Sequence, residues 1–253
     1  MTLTVSLVQH ASGLDPEANR RRLDELTPRK ADLVVFPEAF ARDFGEADSD
    51  VSADAQPVDG PFAREVARVA ADRGTTLLAG MFESSRDPAR PWNTLVMRGA
   101  ATADYRKVHL YDSFGYRESD RLTAGPVDAV AAPLGGFTLG LMTCYDLRFP
   151  EQARALVDAG ADVLVAPSAW VAGERKVDHW RTLVRARAIE NTTYVVAVGQ
   201  PGPRYTGHSM VVDPLGDVLM EAGERSGIVT ATLEPEVLVR ARRTNPSLAN
   251  RRR

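Results

Sequence analysis

Short apolar segments typical of β-strands alternate with helical segments along the chain of 253 residues, and no long linker separates them. Glycine marks two of the breaks: Gly74 ends an amphipathic helix, and Gly99 joins two strands into a hairpin. Strands and helices mixed in this order favour two sheets packed face to face, with helices on the outside. The predicted strands cover residues 4–8, 33–37, 75–81, 93–98, 102–110, 137–143, 162–166, 194–199, 209–213, 217–221 and 227–233, and the predicted helices cover 16–30, 61–73, 150–159, 179–191 and a short segment from Pro235.

Length and composition indicate one large α/β domain over residues 1–253, because an apolar fraction of 44% can supply a sizeable core. Residues 244–253 close on three arginines and are predicted to form a flexible, solvated tail. A formal charge of -3, with both signs mixed along the chain, argues against nucleic acid as a partner.

Neither a membrane partner nor a secreted location is expected. No apolar stretch approaches the length of a membrane span. The chain enters a strand at once, without the basic region and cleavage site of a secretory leader. The sequence therefore predicts a cytoplasmic, reduced location, in which a free thiol survives.

Cys144 is the only cysteine, which excludes a disulfide within the chain and a sulfur-rich metal cluster. It follows an apolar strand and precedes a helix start at Pro150-Glu151, so the thiol is predicted to lie near a strand carboxyl end and a helix amino terminus. A lone cysteine is more often a small buried hydrophobe than a nucleophile. Both interpretations remain open on this residue alone.

Two other ionisable residues lie at or within predicted strands. Glu38 directly follows the strand 33–37, and Lys107 lies within the strand 102–110. The carboxyl ends of strands in α/β proteins are where ligand sites collect. Taken singly, Glu38 also fits a cap and Lys107 a solvated strand residue, so the case for a site depends on their joint occurrence with Cys144.

The ordered set of motifs resembles the nitrilase superfamily of carbon-nitrogen hydrolases, and the resemblance spans nearly the whole chain. Three segments carry it: Phe36-Pro37-Glu38, Tyr105-Arg106-Lys107-Val108-His109-Leu110 and Cys144-Tyr145-Asp146-Leu147-Arg148-Phe149-Pro150-Glu151. Similar segments elsewhere are Arg117-Glu118-Ser119 with Gly125 downstream, the helix 179–191, and Gly207-His208-Ser209 before the turn 213–216.

This resemblance implies a four-layer α-β-β-α sandwich, no cofactor and no metal, and hydrolysis of a small non-peptide amide or related carbon-nitrogen bond. Carried over to this sequence, Cys144 is the nucleophile, Glu38 the general base and Lys107 the electrostatic partner of the tetrahedral intermediate. Glu118 matches the family's second glutamate, which helps place the substrate and supports Lys107.

The residue types fit this chemistry in their own right. A thiol is only a few per cent thiolate at pH 7, so a base such as Glu38 must take its proton. The Lys107 ammonium and the backbone N–H of Tyr145 are expected to stabilise the oxyanion. Ammonia then leaves, a thioester remains on Cys144, and water activated by Glu38 completes the hydrolysis.

The form of the cysteine motif resembles the branch that contains ω-amidases and deaminated glutathione amidases, which act on short amides bearing carboxylates. Arg148 is predicted to hold such a carboxylate by a forked pair of hydrogen bonds. An internal ion pair with Asp146 or Glu151 explains this arginine as well. Residues 172–176 are more charged than in the ω-amidase pattern, and the segment between Asp112 and Glu118 is shorter.

Tyr145, Tyr116 and Trp170 complete the predicted substrate-binding residues. Tyr145 directly follows the nucleophile. Tyr116 and Trp170, like Phe114, fall in segments that the family folds over its pocket, where they either line the pocket or pack beneath it. The expected partner is a small-molecule amide, and the helices near Cys144 and His179 are expected to form a homodimer or a larger homo-oligomer.

The sequence leaves other functions open, and they can be ranked. An N-carbamoyl amino acid amidohydrolase is the second candidate, followed by a nitrilase, which usually carries Cys-Trp-Glu, and by an inactive binding protein on the same fold. A serine hydrolase is disfavoured because Gly207-His208-Ser209-Met210-Val211 lacks a closing glycine. The four histidines show no metal-ligand spacing, and no glycine-rich phosphate loop is present.

Overall fold

A computed structural model describes residues 1–47 and 49–252 and contains two six-stranded sheets. The strands are β1 (Leu3–Gln9), β2 (Leu33–Val35), β3 (Thr76–Glu83), β4 (Trp92–Arg98), β5 (Ala103–Arg106), β6 (Asp112–Ser113), β7 (Tyr116–Arg117), β8 (Ala131–Leu134), β9 (Phe137–Leu141), β10 (Val163–Ser168), β11 (Tyr194–Gly199), β12 (Met210–Val212), β13 (Val218–Glu221) and β14 (Gly227–Leu233). The α-helices are α1 (Pro16–Leu26), α2 (Pro61–Arg73), α3 (Pro150–Asp158), α4 (Lys176–Asn191) and α5 (Pro235–Thr244).

Sheet 1 has the order β14-β1-β2-β3-β4-β5, sheet 2 has the order β13-β12-β11-β10-β9-β8, and β6 pairs only with β7. Alternate residues of each strand face opposite layers. Leu7 of sheet 1 and Val165 of sheet 2 lie in the core between the sheets. Val34 instead packs with α1 and α2, and Leu164 packs with α3 and α4. The predicted α-β-β-α sandwich is confirmed.

The fold brings several strand ends together. Strands β1, β2 and β3 run parallel to one another, as do β9, β10 and β11. The residues that follow β2, β5, β9 and β10 contact one another at the carboxyl edges of the two sheets. This edge holds the candidate site.

Some element boundaries differ from the prediction. Helix α1 ends at Leu26 rather than at Lys30, because Pro28 disfavours a helical conformation in Thr27, whose ψ is 110°. Strand β5 ends at Arg106, so Lys107 lies just beyond the strand rather than within it. Helix α4 begins three residues before His179, at Lys176.

Two residues near the end of the chain contact the rest of the fold. Leu248 packs against the core cluster beneath α3 and α4, and Arg251 forms an ion pair with Asp158. Most of the described residues of the segment 244–253 are nevertheless exposed, so the flexible, solvated tail stays a prediction, and Arg253 lies outside the described residues. Across the two described ranges, every helix is too short or too polar to cross a bilayer.

Candidate active site

Glu38 is held in a tight turn directly after β2. Ala39 has a φ of 54°, and the backbone N–H of Ala41 donates to the Gly80 carbonyl on β3 at 2.9 Å. A Cβ on Gly80 would lie 2.4 Å from the Ala39 nitrogen, so only glycine permits this approach. The close contact between β3 and the turn fixes the direction of the Glu38 side chain.

Lys107 lies between two carboxylates in the interior. Its Nζ donates to Glu38 Oε1 at 3.0 Å and to Glu118 Oε1 and Oε2 at 3.0 and 2.8 Å. All three side chains are at most 2% exposed. A buried ammonium between two carboxylates is compensated in charge and hydrogen bonding, which a lone buried charge is not.

Glu38 accepts three further hydrogen bonds, two on its carboxylate and one on its backbone carbonyl. Asn93 Nδ2 donates to Oε1 at 2.7 Å, and the backbone N–H of Ala169 donates to Oε2 at 2.6 Å. Gln200 Nε2 donates to the Glu38 backbone carbonyl at 3.0 Å. Oε1 is therefore positioned by residues of the sheet 1 side, Asn93 and Lys107, and Oε2 by the residue that follows β10 of sheet 2.

Cys144 begins a short 3-10 helix, Cys144–Arg148, with a φ of 47°. A positive φ is uncommon outside glycine and marks a constrained position. The turn is fixed from both of its ends: the backbone N–H of Thr143 donates to the Asp146 carboxylate at 2.8 Å, and the backbone N–H of Asp146 donates to the Thr143 carbonyl at 2.9 Å. The buried thiol lies close enough to Glu38 and Lys107 for their charges to act on its pKa.

The protonation equilibria follow from this packing. Burial raises the pKa of the Cys144 thiol well above its ordinary value, and the Glu38 carboxylate raises it further. Burial alone would lower the pKa of Lys107, but the Glu118 and Glu38 carboxylates outweigh it and hold that pKa well above its usual range. Burial also raises the pKa of Glu118, although Lys107 opposes this. The resting site therefore pairs a protonated thiol with a charged ammonium.

Asp146 connects the cysteine turn to the segment that carries Lys107. Its fully buried carboxylate accepts from the Thr143 N–H at 2.8 Å and from the Tyr105 hydroxyl at 2.7 Å. It also contacts the backbone N–H and Nδ1 of His109 at 3.1 and 2.7 Å. Tyr105 and His109 flank Lys107 in sequence, so one carboxylate holds both sides of the site together.

Replacing Asp146 with asparagine is expected to destabilise the fold by about 2–4 kcal/mol, because an amide nitrogen cannot accept from these donors. Urea unfolding measures the loss. Asp15→Asn is the matched control, since Asp15 caps α1 at the surface and asparagine caps a helix equally well. A free energy of unfolding within about 0.5 kcal/mol of the parent for Asp146→Asn would contradict the role of this carboxylate.

A cavity of about 710 Å³ opens onto the thiol. All eight residues predicted as catalytic or substrate-binding line it: Glu38, Lys107, Tyr116, Glu118, Cys144, Tyr145, Arg148 and Trp170. Two of them also hold neighbours in place. The Tyr116 hydroxyl accepts from Arg121 at 2.8 Å, and the Trp170 indole N–H donates to the Lys176 carbonyl at 3.0 Å.

Arg148 is available to a ligand. Its guanidinium lies 4.9 Å from the Trp170 ring centre, and its buried Nε has no hydrogen-bond partner. Within residues 1–47 and 49–252 it forms no ion pair with Asp146 or Glu151, and the Asp146 carboxylate is occupied by Tyr105 and His109. The ion pair considered from the sequence is therefore absent from the described part of the chain.

Other site residues were not predicted. Asn93, Ala169 and Lys176 contribute to the site, and Gly80 shapes it. Gly80 carried a usable signal, since a glycine inside an apolar strand indicates a close backbone approach. In the described ranges, no group of three or more histidine, cysteine, aspartate or glutamate side chains is arranged to hold a metal ion.

Comparisons with known proteins match this geometry over nearly the whole chain. A deaminated glutathione amidase of Escherichia coli O157:H7 is 42% identical over 223 residues, which cover 87% of this chain and 84% of that protein. A CN-hydrolase superfamily protein of Xanthomonas campestris, solved with an arsenic adduct in its active site, has a TM-score of 0.89 at 29% identity, covering 100% of this chain and 98% of that one. A Saccharomyces cerevisiae protein from branch 10 of the nitrilase superfamily has a TM-score of 0.86 at 28% identity, covering 100% and 97%.

The family model for carbon-nitrogen hydrolases matches residues 4–243. That range extends from β1 into α5 and includes both sheets, so the match covers the fold as well as the cysteine motif. The membership predicted from the sequence is confirmed. This chain belongs to the carbon-nitrogen hydrolase family of the nitrilase superfamily.

Proposed function

We propose that the enzyme hydrolyses a small amide that carries a carboxylate, through a thioester on Cys144. The observation that carries this proposal is that the Cys144 thiol shares one cavity with Glu38 and Lys107, whose side chains are hydrogen-bonded to each other at 3.0 Å. A nucleophile, a base and a cation thus line one cavity, which is the arrangement that acyl transfer requires.

The acylation half of the reaction begins with a protonated thiol. Glu38 takes the proton as the sulfur attacks the amide carbonyl carbon, and the carbonyl oxygen becomes an oxyanion. Lys107 and the N–H of Tyr145 stabilise that charge; the Tyr145 amide lies in the first turn of the 3-10 helix, where amides lack an acceptor within the helix. The carbon-nitrogen bond then breaks, the leaving nitrogen takes the proton from Glu38, and a thioester remains.

Deacylation reverses these roles with water as the nucleophile. Glu38 removes a proton from water as its oxygen attacks the thioester carbonyl. The carbon-sulfur bond breaks, the carboxylic acid is released, and the proton returns to the sulfur. Glu118 holds Lys107 in its charged form during both halves, through its two contacts with Nζ.

Arg148 supports a carboxylate-bearing substrate. Its guanidinium lines the cavity beside the thiol and forms no ion pair in the described ranges, which leaves donors for a forked pair of hydrogen bonds. The E. coli relative is named for an amide of this chemical type, deaminated glutathione. An N-carbamoyl amino acid presents the same carboxylate, and release of carbon dioxide together with ammonia would identify that alternative.

Glutaramate and pentanamide, which differ in one terminal carboxylate, test the substrate class by ammonia release. We expect a kcat/KM for glutaramate roughly 10–100-fold above that for pentanamide, as one charge-assisted contact provides. Arg148→Ala is expected to remove this preference through a higher KM for glutaramate. Arg117→Ala, an exposed arginine of the hairpin β6–β7, serves as the control. An unchanged KM in Arg148→Ala would refute the assignment.

A further inference from the structure

A second lysine lines the cavity without a carboxylate partner. Lys176 is the first residue of α4 and is only 8% exposed. Its ammonium donates to the Tyr111 hydroxyl at 3.0 Å and lies 3.9 Å from the ring centre of Phe114. Across the described ranges it forms no ion pair. Aromatic faces and one neutral hydroxyl only partly replace the water that burial removes.

In the described ranges no carboxylate that lines the cavity forms an ion pair with Lys176, and one of them, Glu174, is exposed to solvent. Burial lowers the pKa of Lys176, and the Arg148 guanidinium lowers it further, so the two cations repel each other. The buried carboxylates of Glu38 and Glu118 are engaged by Lys107. An anion that enters the cavity would relieve this repulsion.

Trp170 contacts both Arg148 and Lys176. Its ring lies against Arg148, and its indole N–H donates to the Lys176 carbonyl. The backbone of Lys176 is also held by the carbonyl of Gly173, which accepts its N–H at 3.2 Å. The position of the Lys176 ammonium is therefore fixed by contacts of its backbone and its side chain.

The two cations have different surroundings. Arg148 contacts Trp170 and His179, whereas Lys176 contacts Tyr111 and Phe114. Phe114, whose ring lies over the Lys176 ammonium, is 70% exposed, so the cavity reaches the surface beside Lys176. A volume of about 710 Å³ accommodates a ligand longer than a simple amide with one carboxylate.

Lysine is also rare in this chain. The sequence has 28 arginines and only three lysines, and two of those lysines, Lys107 and Lys176, line the same cavity. Nearly all other positively charged side chains of this chain are arginines, so a lysine at position 176 departs from the general pattern. A compact ammonium fits over an aromatic face and still offers its remaining N–H donors to an anion.

We propose that Lys176 binds a second carboxylate of the substrate, beyond the scissile amide, while Arg148 binds the first. This inference rests on the proposed amide hydrolysis and narrows its substrate class. The preferred substrate carries one carboxylate on its acyl part and another on its amine part.

The test compares N-glutarylglycine with N-glutarylglycinamide, which share a shape and differ in the second carboxylate. Release of glutarate, the common product, is followed by mass spectrometry. We expect the parent enzyme to prefer the charged substrate about tenfold or more in kcat/KM, and Lys176→Met to bring this ratio close to one. Lys30→Met makes the same chemical change at an exposed site outside the cavity and is expected to keep the parent ratio.

One result would overturn the inference: a ratio in Lys176→Met equal to that of the parent, whether kcat/KM stays the same on both substrates or falls equally on both. Lys176→Gln keeps a donor for Tyr111 and gives the same readout if the methionine variant unfolds. Failure of the proposed function looks different. In that case the parent enzyme releases no ammonia from glutaramate and no glutarate from either probe.

Discussion

Replacing Cys144 with alanine is expected to lower kcat for glutaramate by roughly 10,000-fold or more, because no other group can form the thioester. The fold should survive, since alanine fits within the space of the thiol. Ala39 already adopts a φ of 54° in this chain, close to the 47° of Cys144. We therefore expect a change in the free energy of unfolding of no more than about 1 kcal/mol.

Kinetics, urea unfolding and mass spectrometry together check this expectation. Acid quenching of the parent enzyme during turnover should trap a mass increase equal to the acyl group, and Cys144→Ala should show none. Because Cys144 is the only cysteine, any inactivation by a thiol reagent reports on this residue alone. Turnover by Cys144→Ala above a tenth of the parent rate would exclude the thioester route.

The elements with the strongest sequence signals were predicted to the residue. Helix α2 has a proline at its first position and a glycine directly after its end, and β11 and β14 also match their predicted bounds. Strand β8 was missed because its sequence, Ala-Ala-Pro-Leu, is short and contains a proline at a sheet edge. The strands β6 and β7 have two residues each, below the length at which alternation is detectable.

The acidic and basic site residues could be anticipated because each follows a strand or a recognisable motif. The contact of the Ala169 N–H with Glu38 could not, since it depends on how sheet 2 lies against sheet 1. Lys176 was noted only as part of a charged segment. Its role follows from the start of α4, which lies three residues before the predicted start and places this side chain in the cavity.

Replacing Lys107 with methionine is expected to destabilise the protein by about 3–5 kcal/mol at pH 8, because it leaves Glu38 and Glu118 buried without their shared cation. For a chain of this size the loss corresponds to a decrease in Tm of roughly 10 °C. Lys30→Met is the control, and an exposed substitution of this kind changes stability by about 0.5 kcal/mol or less. Thermal unfolding at two pH values measures the effect.

The direction in which the stability of Lys107→Met changes with pH follows from the pKa of Glu118. Its pKa in the folded protein is already raised by burial, with Lys107 opposing the shift, so removal of Lys107 raises it further. A carboxyl group whose folded pKa exceeds its unfolded value contributes stability below the unfolded pKa and loses it as the pH rises through the folded value. Lys107→Met should therefore be more stable at pH 5.5 than at pH 8, and Glu118→Gln added to it should restore part of the loss at pH 8. Equal Tm values at both pH values would mean that the two carboxylates do not share one buried charge with Lys107.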